Sequence, residues 1–411
     1  MRVTDTPDGF SMKTALFALL LIFAGSCKAQ QPLSLADAVR QALDRRPELK
    51  SAAARSSAGN SLTLQAGVFP NPRLIFQSEN LRTTHFDYGQ DADTFLYVSQ
   101  VVETSGRRGA RVRLARTIAG RTRLEEQQIR RDIAVQVTEA YWNAIASEAL
   151  LRLYEENNQY FAQIVEYHEA RLREGKAAEV DVIRVRLEDQ RIAAATENTR
   201  LDAEKARLEL ARAIGYENCD RRLTEDLGRL ENPRAINPDS AARVESKLAA
   251  QSLLHARSAL MLERANGRPD LDVILGYKRI QGLNTALAGL QFNLPLFNRN
   301  QGAIGAAEAN VLAAEQDAES AHLLLRSELE IARREYETRR RQIEKSFRPL
   351  RDRAVEISNI SRMAYKEGGI DLLRLIDAER LRIESEISLI RLLNDYHKSV
   401  ARLDRAEGVE P

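Results

Sequence analysis

Between residues 108 and 173 the chain has no proline, and glycine occurs only at 109 and 120. A run so free of breakers reads as one helix of about 65 residues, or about 100 Å at 1.5 Å per residue. No single globular core is that long, so such a helix must be stabilised by other helices lying along it. Its middle carries a matching seam. Ile133, Val137, Ala140, Ala144, Ser147, Leu151, Tyr154, Asn158, Phe161, Val165, His168 and Leu172 follow one another by alternate steps of four and three, the a/d spacing of a coiled coil. After Gly175 a return helix is expected over 179–214.

The chain then repeats itself. "VVETSGRRGARVRLA" (101–115) lies over "NLPLFNRNQGAIGAA" (293–307), and the turn "REGK" (173–176) lies over "KEGG" (366–369). Upstream, Pro72 before "RLIF" lies over Pro269 before "DLDV", at a slightly larger offset. The drop in offset implies a shorter loop between the strands of the second half. Internal repetition of this kind predicts two copies of one element order, with halves at 30–230 and 231–411. The second long helix is expected over 303–367, kinked at Pro349. Its return is expected over 371–406, along a seam of Leu373, Ile376, Arg380, Ile383, Ile387, Ile390 and Asn394. Before the strands, Ser34 through Asp37 has capping-box form, and Pro47 opens a second short helix as a first-turn proline.

Each half also contains two short amphipathic strands, expected over 73–80 and 93–102, and over 270–279 and 287–295. Leu271, Val273, Leu275 and Tyr277 alternate with Asp270, Asp272 and Lys278; Leu290, Phe292 and Leu294 alternate with Gln291 and Asn293. Leu74 and Phe76 oppose Arg73, Gln77 and Glu79, with Ile75 breaking the pattern. Strands apolar on one side and polar on the other suit a barrel with lipid outside and water inside. A sheet in hydrocarbon cannot leave edge N–H and C=O groups unpaired. Four strands from one chain cannot enclose a pore, so several chains must contribute. The competing reading is a periplasmic coiled-coil scaffold or adaptor without a pore, in which each hairpin caps its helices in water.

Residues 1–29 read as a targeting segment. Met12-Lys13 and the apolar run "TALFALLLIFAG" have the form of a secretory signal, making Met12 a candidate start, and "AGSC" ends in Cys27 as a lipoprotein processing box would. Two alternatives stay open: lipidation at Cys27, or ordinary cleavage nearby, such as after Ala29. Either way Cys219 is left without a partner for a disulfide framework.

Several function classes are excluded. With 61 basic and 59 acidic residues, the charge balance gives no footprint for nucleic acid. The five histidines, at 85, 168, 255, 322 and 397, show no ligand spacing with Cys or carboxylates, so no metal site is expected. His168 and His397 fall on helix seams as packing residues. No phosphate-cradling loop, nucleophile elbow or metalloprotease motif occurs, so neither a cofactor nor a catalytic residue is expected.

With these features assembled, the chain resembles outer-membrane efflux proteins of the TolC family from about Ser34 to Gly408. "LQFNLPLFNRNQGAIGAAEA" is similar to the family's second strand-to-helix junction, "YKEGGIDLLRLIDAERL" (365–381) resembles the start of its last long helix, and "VVETSGRRGARVRLA" looks like the branch serving heavy-metal exporters. The resemblance implies a mainly α fold with a small transmembrane β part. It implies a homotrimer in the Gram-negative outer membrane, each chain lending four strands to a shared 12-stranded β-barrel and its helices to a periplasmic α-helical tunnel. A periplasmic adaptor would join the tunnel to an inner-membrane pump of the resistance-nodulation-division type. It further implies a gate at the helix turns near Gly175 and Gly368. Family members carry aspartates near the start of the last helix; Asp377 matches one position and Arg374 replaces the other. Asp371 and Asp181 stand nearby, giving Asp181, Asp371, Arg374 and Asp377 as gate candidates.

Overall fold

The structure is a computed structural model and describes residues 32–81, 83–85, 87–231 and 243–409; the signal segment and Cys27 lie outside them. Helix α1 (Leu35–Arg45) begins at Ser34, whose Oγ accepts from the Asp37 N–H at 3.1 Å, and α2 (Pro47–Ala66) begins at its proline. Strands β1 (Arg73–Glu79) and β2 (Asp93–Val102) precede α3 (Arg107–Arg173), a single helix of 67 residues, and α4 (Glu179–Ile214) returns beside it. The second half repeats this order with α5 (Val244–Asn266), β3 (Leu271–Ile280), β4 (Leu283–Phe292), α6 (Gln301–Gln342), α7 (Arg348–Lys366) and α8 (Leu372–Glu407). Among the described residues no helix is long and apolar enough to cross a membrane.

The expected kink at Pro349 takes another form. A π-helical turn, Ile343–Phe347, separates α6 from α7, and Pro349 sits in the first turn of α7. The wide turn falls just before the proline, whose missing N–H costs little at a helix start.

The seams are only partly as expected. Ile133, Val137, Ala144, Phe161 and His168 are buried, but Leu172 is exposed, and Tyr141, Trp142, Asn157 and Ile164 are buried off the seam. On α8, Ile376 and Ile383 are buried, while Leu373 and Arg380 are exposed and Leu372, Leu375 and Glu379 are buried instead. A two-helix seam presumes one partner. Here α3 packs successively on α1, α2, α4, α5 and α8, and α8 packs on α3, α6 and α7, so the buried stripe rotates along each helix.

The four strands form one antiparallel sheet in the order β1-β2-β3-β4. Register places Leu74, Val98, Leu275 and Ala288 in one row, and Phe76, Leu96, Tyr277 and Ala286 in another, on the same face. On the opposite face Arg73 donates to Asp272 at 2.7 Å and to Ser99 at 3.1 Å. Ile75 also lies there, in a row with Tyr97 and Gly276. A Cβ at Gly276 would come within 2.3 Å of Tyr97 Cβ and 2.4 Å of Leu96 O, so only glycine admits this approach. Strand β4 begins earlier and ends sooner than the span 287–295, because Gln281 and Gly282, both at positive φ, close a two-residue hairpin turn; such primed turns match strand twist. The loop of the first hairpin, residues 80–92, is longer, as the offset implied. Strands β1 and β4 are open edges.

Two apolar cores divide the helices. The larger joins α1, α3, α4, α6 and α8 around Tyr141, Trp142, Leu210, Ile343 and Tyr396. The smaller lies at the helix tips far from the sheet.

Candidate gate at the helix tips

Both long helices end in the same way. The Gly175 N–H donates to Leu172 O at 2.9 Å and the Lys176 N–H to Arg171 O at 2.8 Å; the Gly368 N–H donates to Tyr365 O at 3.1 Å and the Gly369 N–H to Ala364 O at 2.7 Å. These are Schellman caps, which need a left-handed residue at the turn. Gly175 and Gly368 supply it at φ 72° and 73°. The caps return α4 and α8 beside α3 and α7. The smaller core then forms from Phe161 and Ile164 of α3, Val185 and Ile192 of α4, and Leu372, Leu375, Ile376 and Ile383 of α8.

Three polar contacts tie these helices together. Tyr365 Oη of α7 lies 2.6 Å from His168 Nε2 of α3, the two rings stacked with centroids 6.0 Å apart. His168 is 3% exposed and its Nδ1 is buried with no hydrogen-bond partner. Burial holds its pKa below the ordinary histidine value; Asp181 pulls it up, and Arg171 adds to the depression. Burial likewise raises the Tyr365 hydroxyl. The pair is therefore a neutral hydrogen bond at pH 7.

Glu379 of α8 is fully buried and accepts from Arg362 at 2.5 and 2.7 Å, from Ser358 at 2.7 Å and from Arg382 at 3.1 Å. Arg362 lies 4.0 Å over the Tyr160 ring, and Arg382 also donates to Asn157. Burial pushes the Glu379 carboxyl up, but the bonds from Arg362 and Ser358 and the two guanidinium charges outweigh it, and the pKa stays below the usual value. Arg380, the next residue of α8, reaches a different helix: Glu188 of α4 accepts from Arg380 at 2.5 Å and from Arg191 at 2.5 and 3.1 Å. Its burial is likewise outweighed by these bonds, and its pKa is lowered.

The four sequence candidates fall at this tip in different roles. Asp371 caps α8, its Oδ1 accepting from the Arg374 N–H at 2.9 Å. Arg374 and Asp377 are exposed, and the charge of Asp377 acts on Arg380. Asp181 is half-buried on α4, and its charge acts on His168 and Tyr365. Sequence reasoning missed Tyr365, Glu188 and Glu379, and treated His168 as packing. The signal available was Arg380, a charge standing on an apolar seam. Among the described residues no cluster of His, Cys, Asp and Glu is arranged to hold a metal ion.

A four-stranded sheet with one apolar face, set on paired helices of this length, suits a membrane channel with a helical extension. Residues 38–216 and 246–409 match the family described as "Outer membrane efflux protein", and the chain belongs to that family. It is 25% identical over 390 residues to the cobalt-zinc-cadmium resistance protein CzcC of Cupriavidus metallidurans, covering 93% of this chain and 91% of that protein. It is 24% identical over 303 residues to the nickel-cobalt-cadmium resistance protein NccC of Alcaligenes xylosoxydans xylosoxydans, covering 72% and 69%. Among solved structures it is similar to CusC, with a TM-score of 0.79 at 17% identity over 91% of this chain and 92% of CusC. It is also similar to the open-state MtrE outer membrane channel of Neisseria gonorrhoeae, with a TM-score of 0.77 at 17% identity over 91% and 88%. The solved structures establish the fold. The protein is an outer-membrane efflux channel protein of a Gram-negative cell, with its helices extending into the periplasm.

Proposed function

We propose that three copies close the sheet into a 12-stranded barrel and carry divalent heavy-metal cations out of the cell, fed by a periplasmic adaptor and a resistance-nodulation-division pump. The observation that carries this reading is the open sheet itself: its apolar face and its two unpaired edges need lipid on one side and further strands at both ends. The metal assignment rests on the relatives named for cobalt, zinc, nickel and cadmium resistance. Energy comes from the partner pump, which also selects cargo.

At the periplasmic tip Asp181, Asp371, Arg374 and Asp377, repeated by threefold symmetry, set the charge of the entrance. Arg374 beside Asp371 and Asp377 makes a mixed ring with less pull on cations than a purely acidic one. The two halves, 30–230 and 231–411, act as paired repeats behind a cleaved leader ending near Cys27.

Deleting the gene in its native host tests the cargo: sensitivity to cobalt, zinc or cadmium should rise severalfold, restored by the intact gene. Unchanged metal sensitivity with raised antibiotic sensitivity would contradict the metal assignment. Planar-bilayer recordings test the entrance. Replacing all four gate residues by Asn or Gln should change ion preference, and an unaltered current and preference would remove them from the gate.

A further inference from the structure

The apolar surface of the sheet does not stop where its strands stop. At the end nearest the helices Val102, Leu271 and Phe292 form one row on the apolar face. Beyond that row the chain runs on from β4 into Leu294, Leu296 and Phe297, which are 67%, 65% and 92% exposed, and α2 leads into β1 through Val68 and Phe69, 51% and 61% exposed. Phe297 stands on a fixed turn. The Gln301 side-chain amide donates to Phe297 O at 3.3 Å, the Asn300 N–H to Asn298 Oδ1 at 2.9 Å and the Arg299 N–H to Gln301 Oε1 at 2.9 Å. A large ring held out by a hydrogen-bonded turn is presented to something outside the chain.

The same junctions carry arginines. Thr104 Oγ1 donates to Pro269 O at 3.3 Å, and a Cβ at Gly267 would lie 2.6 Å from Arg299 O, so the turns before and after the strands gather at one end of the sheet. The carboxylates there are already taken: Asp270 pairs with Arg107, Asp272 with Arg73, Glu103 with Arg111 and Glu308 with Arg264. Arg108, Arg268 and Arg299 are exposed and meet no carboxylate among the described residues. Arg108 lies 4.2 Å over the Phe69 ring and donates to Gly67 O at 2.6 Å, while Arg299 donates to Pro295 O at 3.3 Å. A guanidinium has five N–H donors, so each of these keeps donors for an anion.

We propose that this collar binds anionic phospholipid headgroups of the periplasmic leaflet, Phe69, Leu294, Leu296 and Phe297 entering the acyl-chain boundary while Arg108, Arg268 and Arg299 hold phosphate. With the sheet in the outer membrane and the helices in the periplasm, the strand-to-helix junctions lie at that leaflet's surface. Aromatic rings favour this depth, and arginine reaches it by laying its apolar stem along the hydrocarbon. The guanidinium fork matches phosphate oxygens two at a time. Three positive charges without carboxylate partners favour a lipid of net negative charge over a zwitterionic one. The collar continues the lipid-facing side of the sheet, and its charge complements phosphate; these two features select lipid as the occupant.

Fluorescence quenching in the full-length protein tests this. Trp142 is the only tryptophan and is buried in the larger helical core, so Phe297→Trp adds a reporter at the collar. The protein is reconstituted into vesicles containing brominated phosphatidylglycerol or brominated phosphatidylethanolamine. Both lipids should quench the reporter, with phosphatidylglycerol favoured at least about fivefold in relative binding constant. Arg108→Gln, Arg268→Gln and Arg299→Gln together should abolish the preference and keep the quenching, whereas Arg108→Lys, Arg268→Lys and Arg299→Lys together should keep both. Equal quenching by the two lipids in the reporter parent would overturn the headgroup site. No quenching by either lipid would overturn the whole proposal, and a particle mass altered by Phe297→Ser would assign the ring to a contact between copies instead.

Discussion

Tyr365 and His168 meet at 2.6 Å across the tips of α7 and α3, residues 197 apart in sequence. The bond joins the two long helices where the family resemblance places the closed end of the tunnel. Tyr365→Phe removes the hydroxyl and leaves the buried imidazole with neither nitrogen paired. An unsatisfied buried polar group costs about 1–3 kcal/mol, which loosens the packing of α7 on α3 at the tip. Single-channel recordings should show a larger or more frequently open conductance for this variant, with the same ion preference as the parent.

Acid should act at the same contact. Burial holds His168 below its ordinary pKa, so the unfolded state binds a proton more readily than the folded one. The contribution is intact above the unperturbed histidine value of about 6.5 and declines as pH falls below it. Around the imidazole stand Tyr167 and Arg171 of α3, Asp181 of α4 and Tyr365 of α7. His397 has the same sign. It is buried against Trp142 at 3.6 Å between ring centroids, and burial lowers its pKa. Thermal stability should fall between pH 7 and pH 5, and His168→Gln should reduce that fall while leaving the His397 part of the loss.

The Glu379 cluster predicts a larger effect. Glu379→Leu leaves Arg362 and Arg382 partly buried without their shared carboxylate, and breaking such a pair typically costs about 3–5 kcal/mol. Because the folded pKa of Glu379 is lowered, its contribution is present above the ordinary carboxylate value of about 4.3 and is lost as pH falls through the folded value. Unfolding monitored by circular dichroism at pH 7 should show the loss. A substitution of exposed Asp377 should leave stability near the parent's.

Gly276 predicts a defect of another kind. Any Cβ there meets the Tyr97 backbone and Leu96 O at under 3 Å, so Gly276→Val must part β2 from β3 in the middle of the sheet. The variant should reach the outer membrane in much reduced amount, read by heat-modifiable gel mobility, while its helical circular dichroism in detergent remains.

Much of the fold was legible because backbone punctuation marks it. Gly175, Gly215, Gly368 and Gly408 all adopt positive φ, and α4 spans the residues that its flanking glycines bracket. The sheet faces were legible from alternation alone. The π-helical turn was not, since nothing local distinguishes Ile343–Phe347 from ordinary helix until Arg340 and Arg348 are seen gripping the carbonyls of Glu231 and Gly228. Helix α5 has no side-chain cap at its start and gave no boundary signal. At the tip, the aspartates were legible as charges near a turn, whereas Glu188 and Glu379 looked like solvated helix residues. Their partners Arg380, Arg362 and Ser358 lie on other helices, and only tertiary packing reveals that they are buried.

On the reading proposed above, one chain supplies only part of a closed sheet. Multi-angle light scattering of the mature protein in detergent, corrected for bound detergent, measures this directly. Three copies per particle and precipitation when detergent is removed are expected; a monodisperse single copy, stable in detergent-free buffer, would rule out the shared barrel.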